Sequence, residues 1–530
     1  LLLTTCFQET LVMRFRKHLF HGMVSGPDPD VTGIPLEPNI SKNERMLKSV
    51  FEACSDVVIH SASTPGQIDM LAIYIAGLPD TKHLDELIFN QFASRSRDLD
   101  KPDGMERAVQ ASFIPVSMTK KVAFLSEAVD SILRGDVVFL FDGVDYGHAV
   151  SVQGTERRAI EEPASEPVIR GPREGFVECL QINTGLLRVR LRSASLKIET
   201  LSIGTLSQTE IAIAYIKDIA KDELLHDVRH RLRRIRIDGV LESGYIEELI
   251  TDTPYSPFPQ IQNTERPDVV IGSLLEGKVA VITDGSPIAL VLPMTFWTGL
   301  QASEDYYERS ITATPIRWLR ILFTSVSLFL PSLYVSLVSY DHPALPTSLL
   351  LSIASSQRMS PFPAIIETLL MEITFEALRE AGLRLPKGVG SAVTIVGGIV
   401  IGQAAVQAGF ISAPVVIVVA TTGIASFIIP RYNFGLAFRL LRFPLLLLAG
   451  FMGFFGLMIG IIGILIHLAS LRSFGTPYLY PLAPLSMDGL KDVFIRKAWF
   501  GMNLRPRTAA EQNGLRIPPG QRPDSGDRGD

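Results

Sequence analysis

The 530-residue chain has only three cysteines, Cys6, Cys54 and Cys179, widely separated and without a CxxC or Cys/His cluster. That spacing excludes a disulfide framework or a zinc site and predicts buried free thiols. Positive charge is also in short supply: 50 Lys and Arg stand against 55 Asp and Glu, a formal net charge of −5. No surplus cation is available to neutralise phosphates, so composition gives no case for a nucleic-acid partner. GxxxxGK[ST], HExxH and GxSxG are missing, as is any GxGxxG between strand and helix. "SMTK" (117–120) matches SxxK without an accompanying SDN or KTG, and His148 is expected on the surface rather than as a base. No enzyme activity, cofactor or metal follows. The first residues, LLLTTCFQET, lack a basic run ahead of their apolar positions, so no signal peptide is expected.

Charge of either sign vanishes from two long stretches. Residues 388–430 contain 43 positions without Asp, Glu, Lys or Arg, and 443–471 add 29 more. About 20 apolar residues cross a bilayer as a helix, so the first stretch accommodates two crossings and the second one. Ile321 to Tyr340 supplies another, interrupted by Pro331. With a mean hydropathy of +0.26, the chain reads as an integral membrane protein.

The first 310 residues have ordinary globular composition and contain an internal repeat. "SILRGDVVFLFDG" (131–143) matches "SLLEGKVAVITDG" (273–285) at an offset of 142, and "IYIAGLPDTKHL" (73–84) resembles "AYIKDIAKDELL" (214–225) at 141. Collinear offsets imply two copies of one unit, each ending in an apolar strand, an Asp-Gly turn and a returning strand. The expected fold class is therefore α+β/α: a soluble N-terminal region of two small α/β subdomains, then an α-helical polytopic membrane domain. The expected boundaries are an extension over 1–44, subdomains over 45–155 and 208–312 around a connecting segment over 156–207, membrane helices over 313–475, and a tail over 476–530 without ordered structure after about 501. "RHRLRRIR" (229–236) reads as a solvated helix end paired with Asp222, Glu223 and Asp227, or as a contact for anionic lipid or an acidic partner.

The unusual section is 344–378. A short apolar segment ends at Gln357, Arg358 and the Pro361/Pro363 pair, and a second helix follows, as in the broken helices that line cavities. On that helix Glu372, Glu376 and Glu380 fan over about 80°. A charge facing lipid at mid-bilayer costs about 2.5–3.5 kcal/mol, so the three are expected at the interface, along a water-filled path or packed against a partner subunit, with Gln403 and Gln407 facing the same path. Small-residue pairs mark close helix approach: Gly398 with Gly402, Ala405 with Gly409, and Gly456 with Gly460. The positive-inside rule groups Arg309, Arg317, Arg320, Arg379, Arg384, Lys387, Arg431, Arg439 and Arg442 on the cytoplasmic side with the N-terminal domain. Whether 344–378 crosses once or re-enters, and hence the side of the tail, stays open.

From about 45 to 500 the sequence resembles the A subunit of GerA-type nutrient germinant receptors. The resemblance is carried by "RGPREGFVECLQINTGLLRVRLR" (170–192), "SPFPQIQNTERPD" (256–268), "EDYYER" (304–309), "LLMEITFEALREAGLRLP" (369–386), "IGQAAVQAGF" (401–410), "RLLRFP" (439–444) and "HLASLRSFGTPYL" (467–479). It implies a place in the spore inner membrane beside a transporter-like B subunit and a lipoprotein C subunit, and self-association into a homo-oligomeric, nutrient-gated cation channel. Arg173 and Glu174 would then form a structural ion pair or a subunit contact. A non-conducting scaffold is the competing reading; a secondary transporter would need inverted repeats among the membrane helices.

Overall fold

The computed structural model describes residues 31–63, 69–79, 119–152, 162–163, 165–384, 397–398, 400–506, 514–518 and 520–523. Residues 1–30, the first half of the SMTK motif, and Lys387 lie outside them.

Each copy of the repeat folds as a five-stranded antiparallel sheet. The first runs β1 (Val57–Ser63), β2 (Asp69–Ile75), β3 (Thr119–Val122), β4 (Val137–Phe141) and β5 (Gly147–Val150), in the order β1-β2-β4-β5-β3. The second, β6 (Leu196–Ile203), β7 (Thr209–Ile216), β8 (Gln262–Thr264), β9 (Val279–Thr283) and β10 (Ala289–Leu292), repeats that order as β6-β7-β9-β10-β8. The registers agree as well, Met70 facing Phe141 and Ile211 facing Thr283. The Asp-Gly turns place Gly143 and Gly285 at φ 86° and 83°, a region that only glycine occupies without strain.

Those turns also hold the start of a preceding helix, α1 (Ile40–Val50) in the first copy and α3 (Leu180–Arg190) in the second. Asp142 Oδ1 accepts from the Ile40 amide at 3.1 Å, and Asp284 Oδ1 accepts from the Leu180 amide at 3.0 Å. Asn43 and Asn183 repeat a second link, each bonding both backbone groups six residues upstream. The repeating unit therefore begins near Glu37 and Val177, ahead of the expected boundaries at 45 and 208. The segment 156–207, expected to be a connection, supplies α3 and the outer strand β6.

Helix α2 (Leu125–Arg134) and α1 cover one face of the first sheet. In the second, α3 and α6 (Pro267–Leu274) cover one face, and α4 (Asp222–Arg234) with α5 (Ser243–Ile250) cover the other. With both faces packed, β9 is buried at every position, which explains its unbroken apolar sequence, and β4 of the first sheet is buried throughout as well. The copies are joined by a bidentate ion pair, Arg188 to Asp56 at 2.7 and 2.9 Å, and by a bridge between Cys54 and Ile198.

Three expectations need correction. His148 lies in β5 and is buried, because both neighbouring strands flank it. Cys54 is buried as expected, whereas Cys179 precedes α3 and is exposed. The tail does not lose structure at 501: Leu504 bridges Leu515, Arg505 Nε donates to the Leu275 carbonyl at 2.7 Å, and Arg516 pairs with Glu276 at 3.3 Å. The Leu275 carbonyl, left unpaired at the end of α6, gives Arg505 its partner, and the Glu276 carboxylate gives Arg516 its own.

Beyond the sheets come α7 (Ser310–Ser339), α8 (Thr347–Gln357), α9 (Ala364–Leu383), a helical stretch over 400–407, α10 (Ala413–Phe427) and α11 (Tyr432–Ser470). Helices α7 and α11 are long and apolar enough to cross a membrane. Pro331 sits inside α7 without ending it.

Candidate functional site

Helix α11 is a hairpin. Gly453 has φ 61° and ψ −144°, outside the helical region. A straight helix would set Leu445 and Gly460 roughly 22 Å apart. Instead a Cβ on Gly460 would lie 2.3 Å from Leu445 Cδ2, and one on Gly456 would lie 2.1 Å from the Leu448 carbonyl oxygen. The glycine pair expected at a close helix approach thus serves the two arms of one hairpin. Gly402 lies against Val416 of α10, and Gly398 faces open space.

The bundle has an end next to the sheets and a far end. At the sheet end Phe258, Phe296, Phe434, Phe438 and Tyr478 form one aromatic cluster, and Arg431 pairs with Glu166 at 3.0 Å. The far end holds the hairpin tip, where the Tyr340 hydroxyl contacts the Gly450 and Phe451 carbonyls at 2.9 and 3.0 Å. After α8, Ser360 Oγ donates to the Phe410 carbonyl at 3.0 Å, and Ile365 at the start of α9 packs on Gly450. The chain therefore stays at the far end from 340 to 365, with α8 lying across it, and α9 runs back toward the sheets. The second arm of α11 returns to the same side, where Phe474 and the tail pack on the second subdomain.

The acidic helix faces arginines of the hairpin. Glu372 pairs with Arg442 at 2.5 Å and Glu376 with Arg439 at 2.6 Å, one turn apart on antiparallel helices. Arg442 Nε also donates to the Ser327 carbonyl of α7 at 2.9 Å, so one guanidinium ties three helices. Glu380, a turn nearer the helix end, is exposed and pairs with Arg384 at 2.7 Å. The fan of three carboxylates is split: two belong to a buried seam, and the third lies at the solvated end.

Glu367, not singled out by the sequence, is fully buried and accepts from the Ser412 amide at 3.0 Å and its hydroxyl at 2.6 Å. Its carboxylate sits where the partial positive charge at the start of α10 favours it. Arg379 lies over the Phe427 ring, 4.4 Å from its centroid, and donates to Ser426. Gln403 and Gln407 are exposed, one helical turn apart, on a surface of otherwise apolar residues. They do not join the carboxylate seam.

The junction with the sheets holds a second buried cluster. Asp305 receives Arg320 at 2.9 Å and Arg317 at 3.3 Å, and Arg317 reaches Asp492 of the tail at 3.1 Å. Burial pushes the Asp492 carboxyl above its usual value, against the pull of Arg317. In "GPREGF", Glu174 pairs with Arg190 at 2.7 Å rather than with its neighbour Arg173, which is exposed.

A duplicated pair of sheets set on a bundle of apolar helices with an ion-paired seam defines a membrane protein with a large extramembrane half. Residues 45–508 match the family described as Bacillus/Clostridium GerA spore germination protein. The chain is 45% identical over 480 residues to "Uncharacterized membrane protein YfkQ" of Bacillus subtilis (strain 168), covering 91% of this chain and 93% of that one. It is 40% identical over 491 residues to "Spore germination protein KA" of the same organism, covering 92% and 90%. The crystal structure of the N-terminal domain of the A subunit of the Bacillus megaterium spore germinant receptor GerK3 matches at 28% identity and a TM-score of 0.36, over 48% of this chain and 95% of that one. The chain belongs to the GerA spore germination protein family.

Proposed function

We propose that this chain is the A subunit of a nutrient germinant receptor in the spore inner membrane, and that copies of it assemble into a cation channel opened when nutrient binds. A transporter-like B subunit and a lipoprotein C subunit are the partners this reading carries. The bundle would cross the bilayer, with α8 at the far face and both the sheets and the tail on the core side. Charge supports that orientation: between 340 and 363 the far end carries Arg358 as its sole Lys or Arg, while Arg309, Arg384 and Arg431 lie at the sheet end.

The observation that carries the channel reading is the exposed pair Gln403 and Gln407 on an apolar surface. Amides facing hydrocarbon are costly, so in an assembly they face water or a neighbouring copy. The seam of Glu372 with Arg442 and Glu376 with Arg439 would hold the closed arrangement, and nutrient binding at a partner would favour the arrangement in which it is broken. Arg173, exposed beside α3, is assigned to a subunit contact.

The intrachain pairing of Glu372 and Glu376 favours a second reading, a scaffold that clusters germination partners without conducting. Potassium flux from vesicles reconstituted with the complete receptor separates the two. A channel gives nutrient-dependent flux that Gln403→Leu/Gln407→Leu reduces at least tenfold; a scaffold gives none. Deletion of the gene, scored for germination against a nutrient panel, tests the receptor assignment itself.

A further inference from the structure

Helix α4 carries two of the nine histidines of the chain, His226 and His230, one turn apart. Leu224, Leu225, Val228 and Leu232 turn toward the second sheet and are buried. At about 100° per residue the two histidines fall on the opposite side of the helix, about 40° from each other. Both are exposed, and their rings lie nearly parallel, with 9° between planes and centroids 6.4 Å apart. Among the described residues neither ring has a hydrogen-bond or ion-pair partner.

A spacing of four on a helix is the one by which two histidines hold a single zinc ion. Neutral imidazole nitrogen binds Zn²⁺, Ni²⁺ and Cu²⁺ well and Mg²⁺ or Ca²⁺ poorly. The surrounding charge sharpens that preference. Asp222 and Glu223, exposed on the preceding turn, favour a cation. Asp227 is engaged by Arg231 at 2.8 Å and Arg229 by Glu199 at 2.7 Å, so neither offers a free charge. Arg233 and Arg234, exposed on the next turn, repel an ion held by charge alone. An ion bonded to nitrogen withstands that repulsion better than hydrated Mg²⁺ or Ca²⁺. No third His, Cys, Asp or Glu completes a cluster among the described residues, so water would fill the remaining positions.

We infer that His226 and His230 form a surface chelate for a divalent transition metal of the zinc type. Holding the second imidazole one turn from the first makes its bond to the ion intramolecular, which raises affinity without a further contact. A bound ion would brace the outer side of α4, whose inner side covers the second sheet. No Cys/His cluster marks the site in the sequence; the helical period alone brings the two rings to one face. The inference depends on neither bilayer placement nor conduction.

The test uses the full chain purified in detergent, stripped of metal with a chelator and held at about pH 7.5, where imidazole is neutral. Isothermal titration with Zn²⁺ should show one ion per chain fewer in His226→Gln/His230→Gln than in the unaltered chain. His230→Gln alone should weaken binding at that site at least tenfold, because a single imidazole remains. Both positions are exposed, so the variants should keep the circular dichroism of the unaltered chain. Undiminished stoichiometry in the double variant, or no zinc uptake by the unaltered chain, would overturn the site. Modification of the unaltered chain by diethyl pyrocarbonate, read by peptide mass spectrometry, locates the ion without any substitution. Zn²⁺ should slow modification of His226 and His230 about fivefold relative to His342, and the same excess of Mg²⁺ should not. Equal rates with and without Zn²⁺, or equal protection by Mg²⁺, would contradict the chelate.

Discussion

Glu372 on α9 and Arg442 on α11 lie 2.5 Å apart with 1% and 3% of their side chains exposed, and the arginine reaches on to α7. Removing one member of such a pair strands a buried charge and costs about 3–5 kcal/mol, whereas replacing both by apolar groups is often neutral. Glu372→Gln and Arg442→Gln should each lower the melting temperature of the detergent-solubilised chain markedly. Glu372→Leu/Arg442→Leu should recover most of the loss, a non-additivity that a double-mutant cycle measures directly.

The hairpin in α11 makes a geometric prediction. With the native cysteines removed, Leu445→Cys/Gly460→Cys should form a disulfide under mild oxidation, since the two positions meet across the turn. A straight helix would hold them apart by roughly 22 Å and give no intrachain product. Gly453→Leu should abolish the cross-link, because that backbone conformation favours glycine and an added Cβ meets Tyr340 at 2.9 Å.

In the second subdomain, burial and the neighbouring Glu242 raise the Glu247 carboxyl to about 7. Between its unfolded value near 4.5 and about 7 the folded state holds the proton more tightly than the unfolded state does. The stability from this group is therefore fully present below about 4.5 and lost as pH rises through 7. Glu247→Gln should leave the melting temperature almost unchanged at pH 4.5 and raise it relative to the unaltered chain at pH 8, when thermal unfolding is followed by circular dichroism.

The repeat predicts matched energetics. Asp142→Ala and Asp284→Ala each remove one carboxylate that accepts the first amide of a helix, so each should cost about 1 kcal/mol in denaturant unfolding.

Legibility in the sequence followed the range of the interaction. Gly135 with Gly277 and Gly143 with Gly285 all take positive φ, so the repeat left a visible mark at positions where other residues are strained. Helices α1 and α3 escaped because their tie to the repeat runs through Asp142 and Asp284, 102 and 104 residues away in sequence. Half of the seam was readable: carboxylates one turn apart on an apolar helix announce a polar face. The positive-inside rule groups Arg439 and Arg442 with the cytoplasmic-side charges, since charge bias alone does not distinguish a loop arginine from one turned into a bundle. The hairpin hid within "FMGFFGLMIG", where three glycines offer equal chances for a turn. Glu367 had no periodic companion, and its partners are the amide and hydroxyl of a single serine 45 residues away, which leave no pattern in the sequence.

The seam as the lock of a closed channel is most directly tested by potassium release from dormant spores without nutrient. Glu372→Gln should release potassium faster than the parent, and the exchanged pair Glu372→Arg/Arg442→Glu should return release toward the parent rate. Release indistinguishable from the parent in spores carrying Glu372→Gln at normal receptor levels would contradict the account.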